Sequence, residues 1–164
     1  MIKSAPILMN TANKILVFTD GSFIKHSNKC GYGVYFPNGE FENLSRRFKR
    51  EPLTNQRAEL YSIYKAIKAV QKKSLDFPIK IYTDSEYSIK SLTIWIKDWK
   101  KKNWKSSTGK DVMNQDLIKK IDAIILKHIG KIEFQHVRSH TGKKDFESIN
   151  NDIVDKLAKD GGEK

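Results

Sequence analysis

The sequence predicts one α/β domain (α+β in some schemes) built on a five-stranded mixed sheet, with strands one to three antiparallel and helices flanking the sheet. Two patterns lead to this prediction. Short apolar runs separated by turn residues occupy residues 14–48, which is typical of an antiparallel meander. Further along, apolar strands alternate with amphipathic helices, which favours parallel crossover connections. The chain has 164 residues and no internal repeat or linker, so it fits a single domain.

The first three strands follow from β-branched runs and turn signals. Residues 14–19 (KILVFT) form an apolar run that stops at DGS, so Asp20 is expected at the end of the first strand. The next two strands are expected over residues 31–36 (GYGVYF) and 41–48 (FENLSRRF). Asn38 and Gly39 between them favour a tight hairpin turn, because both residue types tolerate positive φ.

The spacing of apolar residues then changes to three and four, which predicts amphipathic helices. The first helix begins at Thr54, with Thr54 or Asn55 as its N-cap, and its apolar stripe runs from Leu60 to Val70. The remaining elements are a strand over 79–83, a helix over 86–99, a helix that Asn114 caps and Gly130 ends, a strand over 131–137 and a helix over 150–159.

Composition narrows the class of protein. The formal net charge is +12, from 31 Lys and Arg against 19 Asp and Glu, which favours a polyanionic partner such as nucleic acid or an acidic membrane surface. Cys30 is the one cysteine, so an internal disulfide and a multi-cysteine zinc site are excluded. No apolar run approaches the roughly 18 residues of a membrane span.

Residues 1–14 lack the long apolar core of a secretory signal peptide. We therefore expect a soluble intracellular protein with no membrane partner, and a monomer. The expected organisation is a flexible extension over 1–13, the folded domain over 14–160 and a tail over 161–164.

Four acidic residues stand at positions suited to a site. Asp20 and Asp84 each follow a Thr at the carboxyl end of a predicted strand, where ligands bind in open α/β sheets. Glu59 lies near the start of the first long helix, and Asp155 lies in the last helix. Three of them also have a plain structural interpretation: Asp20 as a turn residue, Glu59 as a first-turn acid, and Asp155 as the i,i+4 partner of Lys159.

In combination the acidic residues predict a metal site. Neighbouring parallel strands that both end in Asp bring carboxylates within a few ångströms, and two unit charges roughly 4 Å apart repel by about 4 kcal/mol at an effective dielectric constant of 20. Such a cluster needs a cation, and oxygen ligands suit Mg²⁺ or Mn²⁺. A pair of these ions can activate a water and stabilise the leaving oxygen of a phosphodiester. Together with the basic charge, the cluster predicts phosphodiester hydrolysis.

Five segments, TDGS, TNQRAEL, YTDS, WIKDWKKKNWK and NDIVDKLA, occur in this order and with a spacing that resembles the type 1 ribonuclease H family. The resemblance extends from Lys14 to Lys159. It implies the ribonuclease H-like fold and endonucleolytic hydrolysis of the RNA strand of RNA–DNA hybrids, leaving 5′-phosphate and 3′-hydroxyl ends. It also implies two Mg²⁺ ions per site, or Mn²⁺ in their place, held by the acidic residues of these segments: Asp20, Glu59, Asp84 and Asp155.

The resemblance also implies a catalytic histidine in the loop after the fifth strand. His140 matches that position, where it would help proton transfer or product departure. The stretch from His140 to Asp155 is longer than the family's usual loop, so the reach of His140 toward the carboxylates is open. An ordinary surface histidine is the alternative interpretation.

Basic and aromatic residues are interleaved in WIKDWKKKNWK, which favours a nucleic-acid groove over a solvated face. The resemblance identifies this segment with a basic protrusion that holds the DNA strand, with Trp99 and Trp104 mostly packing. It implies contacts with the hybrid for the following residues: Gly21, Ser22, Thr54, Asn55, Gln56, Tyr87, Trp95, Lys100, Lys101, Lys105 and Asn114.

One departure from the family concerns the phosphate pocket. Thr54 and Asn114 match positions that bind a DNA phosphate in the family. Related eukaryotic enzymes often carry an Arg beside them, where this chain has Pro52, and Arg50 is the candidate replacement. The interpretation of Asn114 as a helix cap competes with its role at this pocket.

Two other functions are consistent with the same fold and charge. One is a different chemistry on DNA, strand transfer or junction resolution, against which the TNQRAEL helix and the tryptophan segment argue. The other is binding of hybrids without catalysis. A membrane-surface role is the weakest option, because the basic residues lack a long amphipathic stripe.

Overall fold

The centre of the structure is a five-stranded mixed sheet, as the sequence predicts. The structure is a computed structural model that describes residues 13–164. Its strands are β1 (Ile15–Ile24), β2 (Lys29–Tyr35), β3 (Leu44–Arg47), β4 (Ile79–Thr83) and β5 (Ile132–His136), in the spatial order β3-β2-β1-β4-β5. Pairing is antiparallel between β1, β2 and β3, and parallel between β1, β4 and β5. The predicted fold class is therefore confirmed.

Helices join and cover the strands. They are α1 (Asn55–Gln71), α2 (Glu86–Lys90), α3 (Ile96–Lys101), α4 (Gln115–Lys127) and α5 (Phe146–Gly162), with a 3₁₀ turn over Lys25–Ser27. A π-helical turn over Ser91–Trp95 connects α2 to α3, so the helix expected over 86–99 contains one wider turn. Within residues 13–164, no helix has the length and apolar content needed to cross a bilayer.

Alternation along β1 divides the core between the two faces of the sheet. Ile15 and Val17 are fully buried and belong to the larger apolar cluster, which includes the buried residues of α1 and α4. Leu16 and Phe18 belong to a second cluster, where they pack with Val154 of α5. α1 and α4 therefore cover one face of the sheet, and α5 covers the other.

Glycines on β2 allow α5 to lie directly against the sheet. A Cβ at Gly31 would stand 2.2 Å from the backbone N of Gly162 and 2.3 Å from the carbonyl O of Ala158. A Cβ at Gly33 would stand 2.8 Å from the carbonyl O of Val154. This close approach fixes the position of α5, which carries the fourth of the predicted carboxylates.

β1 is longer than expected, and Asp20 lies inside it rather than at its end. Parallel pairing with β4 stops at Phe18, opposite Tyr82. Antiparallel pairing with β2 continues to Ile24, opposite Lys29. The DGS segment is extended structure instead of a turn, because the antiparallel partner continues where the parallel partner ends. The interpretation of Asp20 as a turn residue is therefore wrong.

The tight hairpin expected at Asn38 and Gly39 is also wrong. Residues 36–43 connect β2 to β3, and of the two turn residues only Gly39 has a positive φ, of 76°. The Gly39 N–H donates to the carbonyl O of Phe36 at 3.0 Å, and the Phe36 N–H donates to Oδ1 of Asn43 at 2.8 Å. These bonds close a longer loop, so β3 is shorter than the predicted 41–48.

α5 begins at Phe146, before the expected start at Asn150, because Asp145 caps it. The Asp145 carboxylate accepts a hydrogen bond from the N–H of Ser148 at 2.8 Å. At its other end the helix continues to Gly162, so it includes part of the tail expected over 161–164. The extension expected over 1–13 lies outside the described residues, apart from residue 13 itself.

Candidate active site

Three carboxylates from distant parts of the chain meet at one edge of the sheet, and we name them the carboxylate pocket. Asp20 lies on β1, Glu59 lies on α1, and Asp84 directly follows β4. Each offers one oxygen atom, and these atoms all lie within 4.8 Å of one another. The structure thus brings together three of the four acidic residues selected from the sequence.

Gly21 allows α1 to approach β1 at this point. A Cβ on Gly21 would stand 2.5 Å from the backbone N of Glu59 and 2.8 Å from the Cβ of Ala58. A larger residue would push α1, and with it the Glu59 carboxylate, away from Asp20. Gly21 is buried and Ser22 beside it is half-buried, so of these two expected hybrid contacts Ser22 is the more accessible.

The carboxylate pocket is buried and its charge is not balanced. Asp20 is 3% exposed and Glu59 is 4% exposed. Burial raises the pKa of Asp20 well above its ordinary value, and the neighbouring Glu59 raises it further. Burial likewise raises the pKa of Glu59 to about 8 and raises that of Asp84. Without a cation, burial and mutual repulsion therefore favour the protonated forms of these carboxyls.

The donor set of the pocket fits a hard divalent cation. All three ligand groups are carboxylates, and Oε2 of Glu59 is buried with no hydrogen-bond partner among the described residues. A buried polar atom without a partner is costly, and a bound cation would remove that cost. Oxygen-only ligand sets are typical of Mg²⁺ and Mn²⁺ sites. The pocket could therefore bind a divalent metal ion.

Asp155 lies close to the pocket but is not one of its three residues. Its Oδ2 accepts from Nζ of Lys159 at 2.9 Å, which is the i,i+4 ion pair considered from the sequence. Its charge nevertheless raises the pKa values of all three pocket carboxyls. The fourth carboxylate is thus within electrostatic reach of the pocket while a lysine neutralises it.

Asn151 is a polar residue of the site that the sequence analysis missed. Its side chain is buried on α5, and Nδ2 donates to Oδ2 of Asp84 at 3.4 Å. Its Oδ1 has no hydrogen-bond partner within the described residues. The signal was its spacing, because Asn151 stands four residues before Asp155 and so lies on the same face of the helix.

His140 lies on the exposed loop between β5 and α5, with a positive φ of 53°. Its charge lowers the pKa of Asp84, although this is a smaller influence than burial, which raises it. A hydrogen bond between the hydroxyl groups of Thr141 and Ser148, at 2.8 Å, ties the loop to the start of α5. His140 is therefore within electrostatic reach of Asp84, and the residue after it is tied to α5.

The start of α1 places three of the expected hybrid contacts beside Glu59. Thr54 is the N-cap, and its Oγ1 accepts from the backbone N–H of Arg57 at 3.1 Å. Asn55 and Gln56 are exposed in the first turn. The predicted start of this helix and its Thr cap are confirmed, and the amide side chains are accessible.

Asn114 precedes α4, but its side chain does not cap the helix. Its backbone is left-handed, with a φ of 61°, and the structure gives it no capping hydrogen bond. Its Nδ2 instead donates to the hydroxyl O of Tyr87 at 2.9 Å, and its Oδ1 accepts from Nη1 of Arg57 at 3.4 Å. The predicted capping role is therefore wrong, since the side chain is engaged with α1 and α2.

Residues 86–105, which we name the aromatic segment, carry a row of four aromatic rings. Ring centroids lie 6.1 Å apart between Tyr87 and Trp95, and 6.0 Å apart from Trp95 to Trp99 and from Trp99 to Trp104. Trp95 is 39% exposed, whereas Trp99 and Trp104 are half-buried against the larger core cluster. The row thus leads from an accessible ring, Trp95, to the core. Trp99 and Trp104 pack against the core, as the sequence predicts.

The lysines of the aromatic segment differ in how they are paired. Nζ of Lys100 lies 2.7 Å from Oδ2 of Asp122 on α4, and Lys105 forms an ion pair with Asp111. Lys101 is exposed and forms no ion pair with any described residue. Of the three lysines expected to contact the hybrid, Lys101 is therefore the one whose charge is not already neutralised.

Arg50, the candidate replacement at the phosphate pocket, stacks on an aromatic ring. Its guanidinium carbon lies 5.1 Å from the ring centroid of Tyr61, a cation–π contact. Its carbonyl O accepts from Nε of Arg57 at 3.4 Å. The side chain of Arg50 is thus held at the start of α1, near the segment that carries Thr54.

The mixed sheet, the buried carboxylate pocket and the basic aromatic segment define the class as a metal-dependent enzyme acting on nucleic acid. The family model described as RNase H matches residues 12–163. The chain therefore belongs to the ribonuclease H family.

Relatives in the same family come from bacteria and animals. The chain is 38% identical over 151 residues to a ribonuclease H of Haemophilus influenzae, a match that covers 92% of this chain and 90% of that protein. It is 34% identical over 146 residues to a ribonuclease H of Ruthia magnifica, with 89% and 93% covered. It is 33% identical to ribonuclease H1 of Mus musculus, with 90% of this chain but 50% of the mouse protein covered.

Solved structures share the fold at lower identity. The solution structure of the PFV RNase H domain has a TM-score of 0.69 and 23% identity, and the match covers 94% of this chain and 98% of that domain. A foamy viral protease-reverse transcriptase in complex with an RNA/DNA hybrid has a TM-score of 0.70 and 18% identity, with 99% and 22% covered. These likenesses show the ribonuclease H fold.

Proposed function

We propose that the protein is an endonuclease that hydrolyses the RNA strand of RNA–DNA hybrids and leaves 5′-phosphate and 3′-hydroxyl ends. The observation that carries this function is the carboxylate pocket, with its three oxygens within 4.8 Å of one another, in a chain 38% identical to a ribonuclease H. Divalent ions bound there would supply an activated water and stabilise the leaving oxygen of the phosphodiester.

Two Mg²⁺ ions per site are the proposed cofactor, with Mn²⁺ as a substitute. Asp20, Glu59 and Asp84 would hold them, because their oxygens already converge and a bound cation favours the ionised form of each carboxyl. Asp155 would join them when its carboxylate leaves Lys159. His140 would give a proton to the departing 3′ oxygen from its position in the exposed loop.

The proposed substrate surface runs from the start of α1 to the aromatic segment. Asn55 and Gln56 present amides that both donate and accept, which suits minor-groove edges and 2′-hydroxyls without demanding a base sequence. Thr54 and Asn114 would bind a phosphate, and Trp95 would pack against a deoxyribose. The remaining contacts are Gly21, Ser22, Tyr87, Lys100, Lys101 and Lys105.

A substrate panel tests the proposed function. The protein is incubated with an RNA–DNA hybrid, the same sequence as duplex DNA and the same sequence as duplex RNA, each labelled on one strand, with Mg²⁺ or with EDTA. We expect cleavage of the RNA strand of the hybrid in Mg²⁺ only. An Asp20→Asn preparation purified in the same way excludes a contaminating nuclease.

Other outcomes of this panel correspond to the alternative functions. Cutting or joining of duplex DNA would favour strand transfer or junction resolution. Tight binding of the hybrid, with a steep salt dependence and no cleavage after addition of Mg²⁺ or Mn²⁺, would favour a binding protein without catalysis. Either result would contradict the proposed activity. Sedimentation of the same sample tests the proposed monomer.

A further inference from the structure

Arg57 is a buried cation that lies outside the carboxylate pocket. The residue is 3% exposed on α1, two positions before Glu59. Residues two apart on an α-helix point about 200° apart around its axis, so Arg57 and Glu59 face different sides of α1. A charge buried in this way is tolerated only when its environment satisfies it.

Every N–H of the Arg57 guanidinium has an acceptor. Nη1 and Nη2 donate to the two carboxylate oxygens of Asp116 at 2.8 Å each. Nη1 also donates to Oδ1 of Asn114 at 3.4 Å, Nη2 donates to the carbonyl O of Glu51 at 3.3 Å, and Nε donates to that of Arg50 at 3.4 Å. A planar guanidinium has five N–H groups in a fixed fork, whereas a lysine has one nitrogen and could not make this set.

These bonds join three separate parts of the chain. They connect the start of α1 to the segment before it and to Asn114 and Asp116 at the start of α4. Asn114 then donates to the hydroxyl O of Tyr87 on α2, whose ring contacts Trp95. The segment that leads into Thr54 is thus connected to Trp95 through the side chains of Arg57, Asn114 and Tyr87.

We propose that Arg57 is a positioning residue for hybrid binding, an inference that rests on the proposed function. Its side chain joins the carbonyl groups of Arg50 and Glu51, on the segment that leads into Thr54, to Asn114, whose amide it holds toward Tyr87. It does not touch the pocket carboxylates. Loss of its contacts therefore raises KM for the hybrid and leaves kcat within about twofold.

Asp116→Asn separates positioning from simple electrostatics, because the two predict opposite signs. The side chain of Asp116 is 63% exposed, and loss of its negative charge makes an already basic protein more positive. Electrostatics alone would then tighten binding of a polyanion. Positioning predicts weaker binding by about fivefold, the effect of roughly 1 kcal/mol. The control is Asp160→Asn, which makes the same charge change at an exposed ion pair on α5.

Arg57→Lys is the second variant, since it keeps the charge and loses the fork. We expect binding of the hybrid to weaken by about tenfold, because hydrogen bonds of a charged group are lost. Hybrid affinity is measured by fluorescence anisotropy in EDTA, and KM and kcat are measured in Mg²⁺, at a temperature where circular dichroism shows each variant folded.

A role confined to stability would lower the unfolding temperature and leave KM and affinity at wild-type values, which would overturn the inference. Tighter binding by Asp116→Asn, in step with Asp160→Asn, would overturn it as well. If Arg57→Lys does not fold, the hybrid affinity of Asp116→Asn compared with that of Asp160→Asn decides whether Arg57 is a positioning residue. If the wild-type protein does not cleave the hybrid, the proposed activity fails, while the binding series in EDTA still decides the role of Arg57.

Discussion

The carboxylate pocket and the aromatic segment use charge in opposite ways. In the pocket, three acids converge in a buried place, and burial raises the pKa of each. In the aromatic segment, Lys100 and Lys105 are exposed and already paired with Asp122 and Asp111. The pocket therefore needs a bound cation before its carboxylates can all be ionised. In the aromatic segment, Lys100 and Lys105 would leave Asp122 and Asp111 and pair with phosphates of a ligand instead. Changes in the pocket should affect chemistry and stability strongly, and changes in the segment should affect affinity weakly.

The largest effect should follow from removing one pocket carboxylate. We expect Asp20→Asn, and equally Asp84→Asn, to reduce hybrid cleavage by more than about 100-fold, because even the outer partners of metal ligands are worth 10–100-fold. Binding of the hybrid in EDTA should stay the same or tighten, since a negative charge is lost. Gel-resolved cleavage and anisotropy measure the two effects separately.

The charge-matched control for these variants is Asp160→Asn on α5, whose carboxylate pairs with Lys156. Its activity should remain at the wild-type value. Full cleavage by Asp20→Asn or Asp84→Asn would show that the pocket is not where hydrolysis occurs, and the contrast between the two regions would disappear.

A second prediction concerns the stability of the metal-free protein against pH. The pKa of Glu59 is raised from 4.5 to about 8 in the folded chain. Between these values the folded state binds more protons than the unfolded state, so the free energy of unfolding falls as the pH rises. We expect a loss on the order of 3 kcal/mol between pH 5 and pH 8 in EDTA, given 1.36 kcal/mol for each pKa unit.

Urea unfolding at a series of pH values in EDTA checks this slope. Glu59→Gln cannot titrate at this position, so its stability should change less over the same range. Added Mg²⁺ should raise the stability of the wild-type protein most at high pH, where the carboxylates are ionised. Equal slopes for wild type and Glu59→Gln would mean that the pocket is not electrostatically strained.

Local patterns in the sequence predict most of the fold and the membership of the pocket. Apolar periodicity predicts β4, α1 and α4. The two Thr-Asp pairs, one inside β1 where its parallel pairing with β4 has stopped and one where β4 ends, predict that Asp20 and Asp84 meet. Even the pairing of Asp155 with Lys159 follows from i,i+4 spacing. These features depend on neighbours in the chain or on one simple rule of sheet topology, which is why the sequence shows them.

Features that depend on contacts between distant segments could not be predicted in this way. Asn114 is a good helix cap by residue type, but Tyr87 and Arg57 compete for its side chain. The residues next to Arg57 in the sequence do not show that it is buried, because Asn114 and Asp116, which accept from its guanidinium, are more than 50 residues away along the chain. The π-helical turn over Ser91–Trp95 likewise has no signal in the apolar spacing.

Asp155 lies between the two regions in character, because it is an acid near the pocket that a lysine neutralises. We expect Asp155→Asn to reduce cleavage by about tenfold, the lower end of the range for residues around a metal site. Lys159→Met, which removes the partner and keeps Asp155, should retain activity and reach half-maximal rate at a lower Mg²⁺ concentration. A loss for Asp155→Asn as large as that for Asp20→Asn would show that pairing with Lys159 does not limit its role.

The smallest effect should separate two neighbouring lysines of the aromatic segment. Lys101 forms no ion pair with any described residue, whereas Lys100 must leave Asp122 before it can reach a phosphate. Lys101→Ala should weaken hybrid binding by about threefold, in line with the modest worth of exposed charges, and reduce the salt slope by roughly 0.9. Lys100→Ala should have a smaller effect on both the affinity and the salt slope. In an Asp122→Asn background, where Lys100 is no longer paired, Lys100→Ala should have the same effects as Lys101→Ala. Lys156→Ala on α5 controls for loss of charge alone, and equal salt slopes for Lys100→Ala and Lys101→Ala would show that internal pairing does not govern how this segment binds.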